Sequence, residues 1–145
     1  MVLQPRIRRE AASLAVLQED YKVAVWLLVV TVNAGFAYDG ASIPRLAQPL
    51  VGGPWDPRRL PAATVHDWLY ASHALPRWIA DLVFLAILVM TRGLSVWRCL
   101  VDWLAVRRYG RQAWDSHGPE EQLQARRLGK IKLALFHNQQ KGKIE

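Results

Sequence analysis

The chain has 145 residues, 52% apolar and 21% charged, which is one domain's length with enough apolar side chain to bury a core. Lys and Arg number 19 against 12 Asp and Glu, and the resulting +7 favours an acidic partner without naming one. The 7 Trp exclude disorder over the whole chain, and the 1 Cys excludes a disulfide scaffold.

Residues 1–12 read as a basic, Pro-containing lead-in with Arg6, Arg8 and Arg9 close together. No apolar stretch follows these charges, so this is not the pattern of a secretory signal. From residue 13 to 32 the chain is rich in Val, Leu, Tyr and Trp and is broken near Gln18-Glu19-Asp20. Two β-strands are expected here, one around residues 14–25 and one around 27–32, because Val29-Val30-Thr31-Val32 is β-branched. Residues 33–59 carry Gly35, Asp39-Gly40, Pro44, Pro49, Gly52-Gly53-Pro54 and Pro57. That much Gly and Pro predicts a chain of defined turns, which is either functional or packed by its own side chains.

Three helical patterns follow. Leu60–Ser72 opens with Pro61, whose missing N–H costs nothing in a first turn. Residues 76–91 repeat that start signal, and Gly93 is placed to end the helix. Ser95 is the expected N-cap of Val96–Tyr109, which Gly110 stops. Trp97, Leu100, Val101 and Leu104 give that helix an apolar face at helical spacing. Pro119-Glu120-Glu121 opens a fourth candidate helix carrying Leu123, Leu128, Ile131 and Leu135. The apolar runs at 23–32 and 78–90 fall short of the roughly 20 residues that a spanning helix needs. No transmembrane segment is expected, and a peripheral membrane role stays open.

The expected class is therefore α+β. A small N-terminal β-hairpin or sheet precedes a long Gly/Pro-rich loop and a three- to four-helix body. Residues 1–12 form a basic N-terminal extension, 13–110 a single α+β domain, and 111–145 a basic C-terminal extension with a helix.

The segments 36–44 (FAYDGASIP), 66–70 (HDWLY) and 80–84 (ADLVF) carry the candidate chemistry. If the helices holding His66 and Asp81 form a hairpin near His73–Leu75, His66 lies about eight residues before the turn and Asp81 about seven after it. At a rise of about 1.5 Å per residue their side chains sit level. Asp39, on the preceding loop, would close the set. Asp39, His66 and Asp81 then make a candidate oxygen/nitrogen site for a divalent metal, or a base with an orienting carboxylate. Asp67 points about 100° away from His66 on the same helix, whereas Tyr70, one turn on, shares its face and can donate a hydrogen bond. The competing structural reading is the weightier one. Asp39-Gly40 is a turn signal, and a His–Asp pair across a hairpin can be a satisfied buried link with no chemistry.

Other chemistry is thinner. Ser42 lacks a nucleophile elbow. Cys99 falls in an apolar helix, the setting of an inert buried thiol. His73, His117 and His137 have no ligand spacing, and no phosphate-loop, dinucleotide or zinc motif is present. Most of Trp26, Trp55, Trp68, Trp78, Trp97, Trp103 and Trp114 lie in apolar runs, so core or interface packing is expected of at least five. Trp55, in a Gly-Gly-Pro-Trp-Asp-Pro loop, is the exception and a candidate contact residue. Arg107, Arg108, Arg111, Arg126 and Arg127 could contact phosphate or form solvated helix faces. Without a recognition-module signature, nucleic acid is not the favoured partner.

Taken together, Gly35-Phe36, Asp39–Pro44, His66-Asp67 with Leu69-Tyr70, and Ala80-Asp81 with Phe84 resemble the pattern of a family of unknown function found in tailed bacteriophages and prophages. The similarity runs from about residue 21 to 110, and this chain has Tyr38 where that family usually has Thr. The resemblance implies a virion structural or assembly component, partnered by other phage proteins, in host cytoplasm or in the particle. Its Asp/His polar site would organise the fold or a contact. The alternative is a small metal-assisted hydrolase acting on cell-wall material, with Asp39, His66 and Asp81 as ligands or acid/base. No cofactor is firmly implied, and enzymatic activity is left open.

Overall fold

The computed structural model describes residues 2–12, 14–38, 55–91 and 93–134. Asp39, Gly40, Ser42 and the Ile43-Pro44 pair lie outside the described residues. The architecture is α+β, with antiparallel strands leading into helices.

Two three-stranded sheets are present among the described residues. The first joins β1 (Ile7–Ala11), β2 (Leu14–Leu17) and β5 (Ala37–Tyr38) in the order β1-β2-β5. The second joins β3 (Tyr21–Val25), β4 (Leu28–Val32) and β6 (Gly129–Leu133) in the order β3-β4-β6. The single strand expected over residues 14–25 is two strands belonging to different sheets. The polar residues Gln18–Asp20 cause the break by satisfying loop backbone. Gln18 N–H donates to the Arg6 carbonyl at 2.8 Å, and Asp20 Oδ1 accepts from Ala34 N–H at 2.8 Å.

The helices are α1 (Leu60–Ser72), α2 (Arg77–Met90), α3 (Val96–Tyr109), the short α4 (Arg111–Asp115) and α5 (Pro119–Arg127). In α1 every residue except Asp67 is buried, which makes it the axis of the molecule. Val23, Val25, Val30 and Val32 from the second sheet share a core with Val65 and Leu69 of α1 and Phe84 and Ile87 of α2. His73 ends α1 in a left-handed conformation at φ +49°, turning the chain back into α2. Ser95 caps α3 as expected, its side chain accepting from Arg98 N–H at 3.3 Å.

Both ends of the described chain feed the sheets. Residues 7–11, inside the expected lead-in, pair with β2 in a register that sets Ile7 opposite Leu17. The fourth helix was expected to run on through Leu128 and Ile131, but α5 ends at Arg127 and residues 129–133 pair with β4, Ile131 opposite Val30. Leu135 lies outside the described residues. The physical reason is Gly129 together with the alternation Lys130-Ile131-Lys132-Leu133, a period of two rather than 3.6. Trp68 Nε1–H donates to the Ala125 carbonyl at 2.8 Å, and its indole lies against Gly129. A Cβ at position 129 would stand 2.6 Å from Nε1 and Cζ2 of that buried ring. Gly129→Ala is therefore expected to destabilise the fold by about 1–3 kcal/mol through overpacking, read as a lower midpoint in urea or heat.

The inward face of α3 is not the one its hydrophobic spacing predicts. Trp97 is 74% exposed and Leu104 56% exposed, while Cys99 and Asp102 are the buried residues of the helix. Buried partners decide the orientation, because Asp102 and Arg107 each meet an opposite charge inside (below). Of the Trp side chains, Trp68 is buried, Trp55 and Trp114 pack partly buried against the core, and Trp26, Trp78 and Trp97 are each more than half exposed. Cys99 is buried as expected, and burial pushes its thiol pKa up.

Candidate functional site

The α1–α2 hairpin brings His66 and Asp81 together as the residue count predicts. His66 Nε2 stands 2.9 Å from Asp81 Oδ1, and Tyr70, one turn further along α1, donates its hydroxyl to the same oxygen at 2.7 Å. The other oxygen, Oδ2, accepts from Arg107 of α3 at 2.7 Å and lies 3.9 Å from Arg77 Nε. Asp81 is 0% exposed and thereby ties three helices at one carboxylate. Arg77 braces the cluster, donating to the Tyr70 hydroxyl at 3.2 Å and to the Arg107 carbonyl at 2.7 Å. The imidazole of His66 packs 4.0 Å from the Tyr70 ring and 4.9 Å from Phe84, centroid to centroid.

The protonation states follow from these partners. Burial opposes a charge on His66 and lowers its pKa, outweighing the pull of Asp81. Burial also pushes Asp81 upward, but the hydrogen bonds from His66, Tyr70 and Arg107 prevail and hold it below the usual carboxylate range. Burial, then the hydrogen bond to Asp81, raises the Tyr70 phenol. At neutral pH the cluster is thus an ionised Asp81, a neutral His66, a protonated Tyr70 and two guanidinium groups. An ionised carboxylate only accepts, so the proton of His66 sits on Nε2 and the lone pair on Nδ1. Nδ1 lies 4.0 Å from Asp67 Oδ1, so the side chains of these adjacent residues bend closer than their 100° helical separation suggests.

The sign of the pH effect follows. His66 has a lower pKa folded than unfolded, so its contribution is fully present above the unfolded value of about 6.5. It is lost as pH falls from there through the folded value, because the unfolded chain takes up the proton first. The measurement is urea unfolding across pH 7.5 to about 5. Wild type should lose stability across that window, and His66→Gln, which keeps an N–H donor but does not titrate, should show a flatter profile.

Chemically, Asp81 has little to offer a substrate or a metal. It is 0% exposed and already accepts from His66, Tyr70 and Arg107, so a cation bound there would have to enter a buried site lined by donors and two guanidinium groups. Among the described residues no group of three or more His, Cys, Asp or Glu side chains is arranged to hold a metal ion. Asp39, the third member of the expected set, lies outside the described residues.

A second buried ionic group was not singled out from sequence. Arg59, 2% exposed, donates from Nε to Asp102 Oδ2 at 2.7 Å and from Nη2 to Oδ1 at 3.3 Å. Its remaining nitrogen reaches Asp56 at 2.8 Å, and Asp56 also accepts from Arg58. The hydrogen bonds from Arg58, with the charges of Arg58 and Arg59, lower the Asp56 pKa to about 2, whereas burial raises that of Asp102. The signal available in the sequence was Asp102, the one acidic residue of α3, set between Val101 and Trp103, which asks for a cation.

The residues expected to make contacts are mostly engaged within the chain. Trp55 donates from Nε1 to the Ala12 carbonyl at 3.0 Å and lies under the Arg9 guanidinium. Arg107 turns in to Asp81. Arg126 donates to the Ser72 carbonyl at 2.8 Å. Arg111 pairs with Asp115 at 3.5 Å, and Arg108 lies over the Tyr109 ring. Arg127 is exposed.

A family model described as "Protein of unknown function (DUF1353)" matches residues 15–106, more than half of the chain. The chain belongs to that family. The DUF1353 match takes in His66, Tyr70, Arg77, Asp81 and the Arg59–Asp102 pair, and stops one residue short of Arg107. It leaves out β1, α4, α5 and β6. The chain is also similar to uncharacterized protein y4iH of Sinorhizobium fredii (strain NBRC 101917 / NGR234), with 54% identity over 35 residues. That stretch is 24% of this chain and 15% of y4iH, so the chain spans a small part of that relative's length. No solved structure matches.

Proposed function

We propose that this DUF1353 protein is a structural or assembly component of a phage-type particle, a contact-making module whose Asp81 hub organises the fold. The observation that carries this reading is the burial of Asp81 among its donors. A carboxylate that is 0% exposed and meets an imidazole, a phenol and a guanidinium is built to hold helices in place. The surface adds to it. Val96, Trp97, Leu100 and Leu104 line one exposed stripe of α3, the kind of apolar patch that marks a protein contact. The phage setting rests on the motif resemblance at Asp39–Pro44, His66–Tyr70 and Ala80–Phe84. No helix among the described residues is long and apolar enough to cross a membrane.

The test is quantitative mass spectrometry of purified particles from the source of this gene. A fixed copy number per particle is the expected result, and absence from particles contradicts the reading.

One observation favours a second reading, the small metal-assisted hydrolase. Asp81 fixes the His66 tautomer so that Nδ1 keeps its lone pair beside Asp67, an arrangement seen where a carboxylate orients a ligating or basic imidazole. His66 Nδ1, rather than Asp81, would then carry the chemistry, with Asp39 as a further candidate. Bound metal in the purified protein, lost in His66→Ala while the fold survives, would favour this reading over the first.

A further inference from the structure

The solvent side of the β3-β4-β6 sheet serves neither the Asp81 hub nor the α3 stripe. Strand alternation turns Tyr21, Val23 and Val25 inward and leaves Lys22 and Ala24 exposed on β3. The register sets Lys22, Thr31 and Lys130 in one row across the sheet, and Ala24, the buried Val29 and Lys132 in the next. Asp and Glu are absent from all three strands.

The β3–β4 hairpin closes through two residues, Trp26 and Leu27, which are 63% and 60% exposed. Leu133, opposite Leu28 in the register and on the face of Val25 rather than that of the lysines, is exposed beside them at the same end of the sheet. Trp26 holds φ +52°, the left-handed backbone that tight hairpins ordinarily give to Gly, Asn or Asp. A bulky residue there carries backbone strain, and its indole stands in solvent, where the fold gains little from it. Strain kept at a position that Gly fills freely points to a use outside the molecule.

We propose that this tip docks on an anionic lipid bilayer, with Trp26, Leu27 and Leu133 entering the interfacial layer and Lys130 and Lys132 meeting headgroup phosphates. At about 3.3 Å per residue, Lys132 stands one residue behind Leu133 and Lys130 about 10 Å behind it. At physiological salt the Debye length is about 8 Å, so Lys132 lies well within it and Lys130 reaches back into it along its four-carbon side chain. Trp is at home at a membrane interface, with an apolar body and an N–H that stays wet. Nucleic acid fits less well, because stacking platforms use aromatic rings and two of the three tip residues are Leu. A second copy fits less well too, since it would set Lys against Lys.

The test is flotation of the full chain with phosphatidylcholine vesicles, with and without phosphatidylglycerol. Binding is expected to the anionic vesicles alone and to weaken with salt. Trp26→Gly should keep or raise the thermal midpoint, because Gly adopts this backbone without strain, yet lose vesicle affinity by about tenfold or more. Lys130→Gln with Lys132→Gln should lose about 25-fold, at about fivefold per lysine. Failure to bind anionic vesicles, equal binding to neutral ones, or Trp26→Gly binding like wild type overturns the proposal. So does a Trp26-dependent dimer, or Trp26-dependent binding to an oligonucleotide without vesicle binding.

Discussion

Asp81→Ala is expected to lower the unfolding free energy by about 3–5 kcal/mol, the usual consequence of removing one partner from a buried ionic group. The carboxylate is 0% exposed, and its loss leaves the His66 Nε2–H, the Tyr70 hydroxyl and the Arg107 guanidinium without their acceptor. Two positive charges, on Arg77 and Arg107, would then face each other across the vacated space. For a domain stabilised by about 5–15 kcal/mol, such a loss is a large share of the total. Asp81→Asn keeps the shape but only one acceptor oxygen, and turns an N–H toward other donors, so it should recover only part of the loss. Urea unfolding followed by circular dichroism reads both variants. A cost below about 1 kcal/mol for Asp81→Ala would mean that the cluster is not what holds α1, α2 and α3 together.

The second large effect is at Arg59. Arg59→Met strands Asp102, which is 4% exposed, and is expected to cost about 3–5 kcal/mol. Asp56 is less affected, because it keeps Arg58 at 2.8 Å. The double variant Arg59→Met/Asp102→Leu replaces the bidentate pair with apolar groups of similar size and should regain most of that loss. The comparison separates two meanings of a buried ion pair. If the double variant is as unstable as the single one, the pair contributes net stability. If it recovers, the pair's main effect is to choose which face of α3 turns inward. The exposure of Trp97 and Leu104 argues for the second meaning, since the α3 face selected inward is the one carrying Asp102, not the more apolar one.

That choice also marks where the sequence stops being legible. Local signals were sufficient for Leu60–Ser72 and Val96–Tyr109, whose ends are set by Pro61, Ser95 and Gly110. The His66–Asp81 contact could be counted out because both residues sit on one hairpin with a short turn. Arg107 meets Asp81 across 26 residues, and Arg59 meets Asp102 across 43, and no periodic pattern reports pairs between separate elements. The inward face of α3 depends on those pairs, and hydrophobic spacing alone points to the other side of the helix. The β1 and β6 strands were missed for a related reason. Each needs a partner strand from elsewhere in the chain, and Lys130–Leu133 follows a helix whose apolar spacing seemed to continue through it. Asp39 was read together with His66 and Asp81, and lies outside the described residues.

A hub that organises the fold requires His66 to be a neutral donor locked on Asp81. The direct measurement is nitrogen-15 NMR of the His66 imidazole between pH 8 and about 5. Expected is a neutral ring protonated on Nε2, with Nδ1 unprotonated, that stays neutral to well below the ordinary histidine value of 6.5 because burial disfavours its charge. An imidazolium at neutral pH would contradict the neutral donor, and a neutral ring protonated on Nδ1 would contradict the hub, since Asp81 would then accept no proton from His66.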